Sequence, residues 1–125
     1  MATTLAARIE PNYLLIEGVG VIANSEDEKR WADACYEELL RQGSQRVLID
    51  QRKIEFKSSI SDQCNVVSYY NEEFELQIRK FSIALLVNPE EKKLHKFWEL
   101  YANNRGYRWK VFTEKCAADA FLNTE

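Results

Sequence analysis

Leu5, Ala7 and Ile9 alternate with Ala6, Arg8 and Glu10, a period of two that predicts a half-buried strand. Pro11-Asn12 marks a turn, and a second strand runs from Tyr13 through Gly18-Val19-Gly20 to Ile22. So short a connection predicts an antiparallel hairpin. Ser25-Glu26-Asp27-Glu28 has the form of a capping box. Ala32, Cys35, Tyr36, Leu39 and Leu40 then recur at helical spacing until Gly43 stops the helix. Val47-Leu48-Ile49 predicts a short buried strand ending at Asp50, and Gln51 to Lys57 a loop anchored by Phe56. Ser58 or Ser59 caps the next helix, with Ile60, Cys64, Val67 and either Tyr70 or Asn71 on its inner face.

Phe81 to Val87 is nearly continuous apolar sequence, the mark of a central strand covered on both faces. Asn88-Pro89 starts another helix, with Leu94, Phe97, Trp98 and Tyr101 as its apolar stripe and Gly106 as its stop. Arg108 to Phe112 alternates as a last strand, and Thr113 caps a final helix carrying Ala117, Ala120 and Phe121. The order ββαβαβαβα predicts an α/β fold, a mixed, largely parallel sheet with helices packed on it. There is no linker or repeat, so residues 1–125 form a single domain.

Composition narrows the function. The chain carries 17 Lys and Arg against 20 Asp and Glu, a net charge of −3, which gives no general attraction to nucleic acid or anionic lipid. Its longest apolar run is far short of the roughly 20 residues of a membrane span. The N-terminus lacks the pattern of a secretory signal. Three scattered cysteines without a Cys-x-x-Cys pair predict reduced, buried thiols in a cytoplasmic protein, and a lone histidine predicts no metal site.

Catalytic constellations are not evident. Gly18-x-Gly20-x-x-Ala23 has dinucleotide-fingerprint spacing, but Val21 and Ile22 separate it from the helix start, so the glycines read as a strand bend. His95 sits among Lys92, Lys93 and Lys96, beside the apolar stripe, and is expected in solvent or at a rim. The acidic clusters lie at helix starts, where the helix dipole favours them. No enzyme and no cofactor is predicted. Two regions remain as candidates. Asp50, Phe56 and Lys57 lead to a helix start holding Ser58, Ser59 and Ser61, a place suited to an anion or a phosphoryl group. Phe97, Trp98, Tyr101 and Trp109 form an aromatic group that could line an apolar ligand site, with Arg105, Arg108 and Lys110 nearby.

From Tyr13 to Leu122 the chain resembles the SpoIIAA-like family, relatives of the STAS domains of bacterial anti-sigma-factor antagonists. The likeness is carried by Phe97-Trp98-Glu99 through Asn104-Arg105-Gly106 to Val111-Phe112-Thr113, and by Val47-Leu48-Ile49-Asp50, which looks like the third STAS strand. It implies a STAS-like mixed sheet of four to five strands and a regulatory, protein-binding role, with a kinase or anti-sigma-like regulator as partner and a homodimer as one assembly. Antagonists carry Asp-Ser-Ser-Gly after that strand, with one serine phosphorylated. Here Lys57-Ser58-Ser59-Ile60-Ser61 stands in its place, without the Asp and the Gly. The wider group is also similar to CRAL-TRIO lipid-exchange domains, which implies a lipid or small apolar ligand as the alternative.

Overall fold

The computed structural model describes residues 3–67 and 77–123. Strand β1 (Thr4–Ile9) pairs antiparallel with β2 (Leu14–Ile22). Helix α1 (Ser25–Gln42) leads to β3 (Arg46–Phe56), which lies parallel to β2. Helix α2 (Ile60–Val67) precedes β4 (Ser82–Leu86), parallel to β3. A 3-10 turn (Pro89–Glu91) leads into α3 (Lys92–Asn104), followed by β5 (Arg108–Phe112), parallel to β4, and α4 (Lys115–Asn123). The sheet order is β1-β2-β3-β4-β5, so the predicted mixed α/β class holds.

Alternation along the strands sends side chains to two cores. Leu14, Ile16, Val47, Ile49, Ile83 and Leu85 join one core with Trp31, Cys35 and Leu39 of α1 and Tyr101 and Ala102 of α3. Tyr13, Leu15, Leu48, Ala84 and Leu86 join the other, covered by Ala118 and Leu122 of α4. Consecutive parallel strands with right-handed crossovers place their connecting helices on one face. Among the described residues, the last helix covers the opposite face.

Several local expectations are corrected. The predicted loop from Gln51 is the second half of β3. Strand β2 continues past a register shift between Glu17 and Val19, pairing Val19 with Lys53 and Ile22 with Phe56, while Gln51 and Ile54 point inward. Gly18 sits at that shift because a Cβ there would lie 2.5 Å from the Trp31 ring. The cap of α1 is Asn24, whose side chain accepts from the Asp27 N–H, rather than Ser25. At the other end of α1, Gly43 adopts the left-handed conformation and its N–H bonds to the Leu39 carbonyl.

The helix stripes are rotated from those expected. In α2, Gln63 and Val66 are buried, whereas Ile60 and Cys64 are exposed; the Val67 side chain, Tyr70 and Asn71 lie outside the described residues. In α3, His95, Glu99, Tyr101 and Ala102 are buried while Leu94, Phe97 and Trp98 are half-buried. In α4, Ala118 and Leu122 are buried, Phe121 is half-buried, and Ala117 and Ala120 are exposed. Of the thiols, only Cys35 is buried; Cys64 and Cys116 are exposed. Polar partners explain much of the rotation. In α3, the Glu99 carboxylate accepts the Val111 N–H of edge strand β5 at 2.8 Å and pairs with Lys96, which turns that residue inward.

Candidate functional site

Between α1, α3 and the sheet lies a partly open cavity of about 100 Å³. Helix α1 supplies Glu28, Trp31, Cys35 and Leu39; the strands supply Ile49, Gln51, Ile83, Leu85 and Trp109; and α3 supplies His95 and Trp98. Ala32, Tyr36 and Ile78 complete the wall, so Glu28, Gln51 and His95 are the polar exceptions in a lining that is otherwise aliphatic, aromatic or thiol. Helical spacing explains the α1 side: Glu28, Trp31, Cys35 and Leu39 fall on one stripe.

Glu28 is 4% exposed. Its Oε2 accepts from the Ser58 hydroxyl at 3.0 Å. Burial pushes its carboxyl up to about 7; the Ser58 hydrogen bond opposes that rise, and the charges of Asp62 and Asp27 add to it. His95 is 1% exposed, and burial pushes it down to about 4. It is therefore neutral near pH 7, and its Nε2 has no hydrogen-bond partner among the described residues. The Phe56 ring stands edge-on to it at 4.3 Å. Trp31 Nε1 donates to Gln51 Oε1 at 2.7 Å, whereas Trp109 Nε1 is buried without a partner among the described residues. Burial pushes the Cys35 thiol far up, with Glu28 and Glu38 adding to the rise, so it is neither a ready nucleophile nor a ready metal ligand. Among the described residues no group of three His, Cys, Asp or Glu is placed to hold a metal ion.

The residues expected at the start of α2 take separate roles. Ser58 is buried against Glu28. Ser59 caps α2: its Oγ accepts the Asp62 N–H at 3.1 Å, while Asp62 Oδ2 accepts the Ser59 N–H at 2.8 Å. Ser25 adds a hydrogen bond to Asp62 Oδ1 at 2.9 Å. Ser61 is exposed. Asp50 accepts from the Arg52 guanidinium at 2.9 and 3.0 Å. Its carboxyl lies below the ordinary value because those bonds outweigh burial, the largest single influence, which raises it. Lys57 is exposed and 3.9 Å from Glu55. Asp50 and Phe56 thus belong to β3 rather than to a loop.

Of the aromatic group, Trp98 and Trp109 line the cavity, their ring centroids 6.5 Å apart. Phe97 and Tyr101 touch Trp98 but do not line it. The two candidate regions are joined rather than separate: Ser58 reaches the cavity through Glu28, and Phe56 reaches it through His95. Sequence reasoning missed both connecting residues. Glu28 reads as one acid in a run of three, and His95 as one cation-flanked surface residue; long-range partners bury them.

No protein-family model and no curated protein matches the sequence. Solved structures match in fold, among them the following two. An anti-sigma factor antagonist from Mycobacterium paratuberculosis superposes with a TM-score of 0.60 at 7% identity, over 98% of this chain and 96% of that one. An uncharacterized protein of the DUF3478 family with a SpoIIAA-like fold, from Shewanella loihica PV-4, gives 0.54 at 16% identity, over 97% and 94%. The chain has the SpoIIAA-like fold. Among the described residues, no helix is long and apolar enough to cross a membrane.

Proposed function

We propose that this chain is a non-catalytic regulatory module of STAS-like type, acting in the bacterial cytoplasm by binding a protein partner through the β3 end and the start of α2. The observation that carries this reading is the full-length fold match to an anti-sigma factor antagonist. Ser61 is the accessible serine for a phosphoryl group, since Ser58 is buried and Ser59 faces the Asp62 carboxylate. Cross-linking in the native host followed by affinity measurement on the purified pair tests the reading. Ser61→Glu and Lys57→Glu should weaken partner binding by about tenfold, close to 1.4 kcal/mol. Unchanged affinity for both variants would place the interface elsewhere.

The cavity supports a second reading, ligand binding. At about 100 Å³ it is smaller than the roughly 300–1,000 Å³ of most small-molecule sites, which favours one compact group over a long acyl chain. Native mass spectrometry of protein from its host tests it, through non-covalent mass that is lost on denaturation.

A further inference from the structure

We infer that the cavity is a site for a small organic cation, an amine or quaternary ammonium group, held between the Glu28 carboxylate and the rings of Trp31, Trp98 and Trp109. The inference rests on the ligand-binding reading of the cavity and adds the charge and class of the ligand.

Glu28 is a buried ionisable group without a counterion among the described residues. A buried carboxylate is normally paired with a cation or forced to keep its proton. Glu28 lines the cavity at 4% exposure and has one hydrogen-bond donor, the neutral Ser58 hydroxyl. No Lys or Arg lines the cavity, and no ion pair reaches Glu28 among the described residues. Residues 1–2, 68–76 and 124–125 contain no Lys, Arg or His, so no cationic side chain comes from them. The charged and titratable groups around Glu28 work against its ionisation or leave it alone. Asp27 on α1 and Asp62 on α2 repel the charge, Cys35 on α1 stays protonated, and His95 on α3 stays neutral. A cation in the cavity would supply the missing counter-charge.

The walls select the same chemistry. Tryptophan is the best aromatic partner for a cation, and the attraction grows where water is excluded. Three tryptophans line this one small space. A neutral apolar guest would leave the carboxyl without a counter-charge, and an anion would add a third repulsion to those of Asp27 and Asp62.

The test titrates the purified full chain with tetramethylammonium chloride and with tert-butanol, an uncharged molecule of similar bulk, at pH about 8, where Glu28 is largely ionised. Tryptophan fluorescence and ligand-detected NMR supply the readouts. We expect the cation to bind at least about tenfold tighter than the alcohol, and its affinity to fall as pH is lowered through neutrality, because protonated Glu28 offers no charge. Glu28→Gln should remove that preference and its pH dependence while leaving the alcohol within about twofold. Trp98→Leu, at a half-buried position, is the second variant and should also weaken the cation selectively. Competition by a trimethyllysine peptide or by phosphatidylcholine vesicles would identify the source of the headgroup; competition by neither assigns a free amine. Equal binding of cation and alcohol, or a Glu28→Gln variant that keeps the cation preference, overturns the cation inference while the ligand-binding reading stands. Binding of neither probe, with no ligand carried from the host, overturns both.

Discussion

The two faces of the sheet are built from the same strands and do different work. The face under α4 gathers Leu15, Leu48 and Leu86 with Ala84, Ala118 and Leu122, and its polar contacts stay at the rim, where Tyr13 donates to Asp119 at 2.8 Å. The face under α1 and α3 holds buried Glu28, Gln51, His95 and Glu99, a cavity, and ring nitrogens without partners among the described residues. The first face spends its residues on burial alone. The second gives up some of that stabilisation to hold polar groups away from water. The larger apolar core lies on the α1–α3 side, and that same side also holds the buried polar groups.

The division can be broken by truncation. Leu48→Ala, at a fully buried position on the α4 side, should cost about 3 kcal/mol in urea unfolding, near the middle of the range for such sites. A loss below about 1 kcal/mol would mean that the packing around Leu48 relaxes into the space left by the truncation.

A comparable effect should come from pH, through the buried groups of the other face. Glu28 has a folded-state value near 7, raised from 4.5. Its stabilising contribution is therefore complete below pH 4.5 and is lost as pH rises through about 7, an upper bound of about 3 kcal/mol. His95 runs the other way: its value is lowered from 6.5 to about 4, so its contribution is complete above pH 6.5 and is lost as pH falls through about 4. Denaturant melts across pH should show Glu28→Gln flattening the alkaline slope and His95→Phe the acidic one. Slopes unchanged in both variants would remove these groups from the account.

Smaller effects sharpen the contrast. Ala84→Leu on the α4 side adds volume at a fully buried site and should destabilise by about 1–3 kcal/mol. The same change at Ala32, on the cavity wall, should shift stability by less than about 1 kcal/mol because the side chain has space to enter. Ala32→Leu should also abolish probe binding in the cavity, which calorimetry would detect.

How much of this was legible in the sequence depended on whether hydropathy marks the residue. Phe81 to Val87 is apolar without interruption, and β4 lies within it between both cores. Arg108 to Phe112 alternates cleanly and is β5. The second half of β3 was hidden, because Asp50-Gln51-Arg52-Lys53 carries the composition of a loop and is held as strand by the extended β2. The helix stripes were misplaced wherever the inward residue is polar: Gln63 in α2, and His95 and Glu99 in α3. A period of 3.6 cannot choose among adjacent stripes when the apolar ones compete and the inward polar one carries no hydropathy signal. The aromatic group was visible as a cluster, but the carboxyl that gives it chemical character lies in a different part of the chain and joins it only through folding.

Edge strands invite neighbouring molecules to add their own backbone and build fibres. The hydrogen bond from the Val111 N–H to Glu99 occupies a donor on strand β5 that such an intruder would need. An incoming strand would first have to evict a charged side chain that Lys96 helps to hold. With that donor freed, the Glu99→Leu variant should form fibrils faster on prolonged incubation, which thioflavin fluorescence would follow.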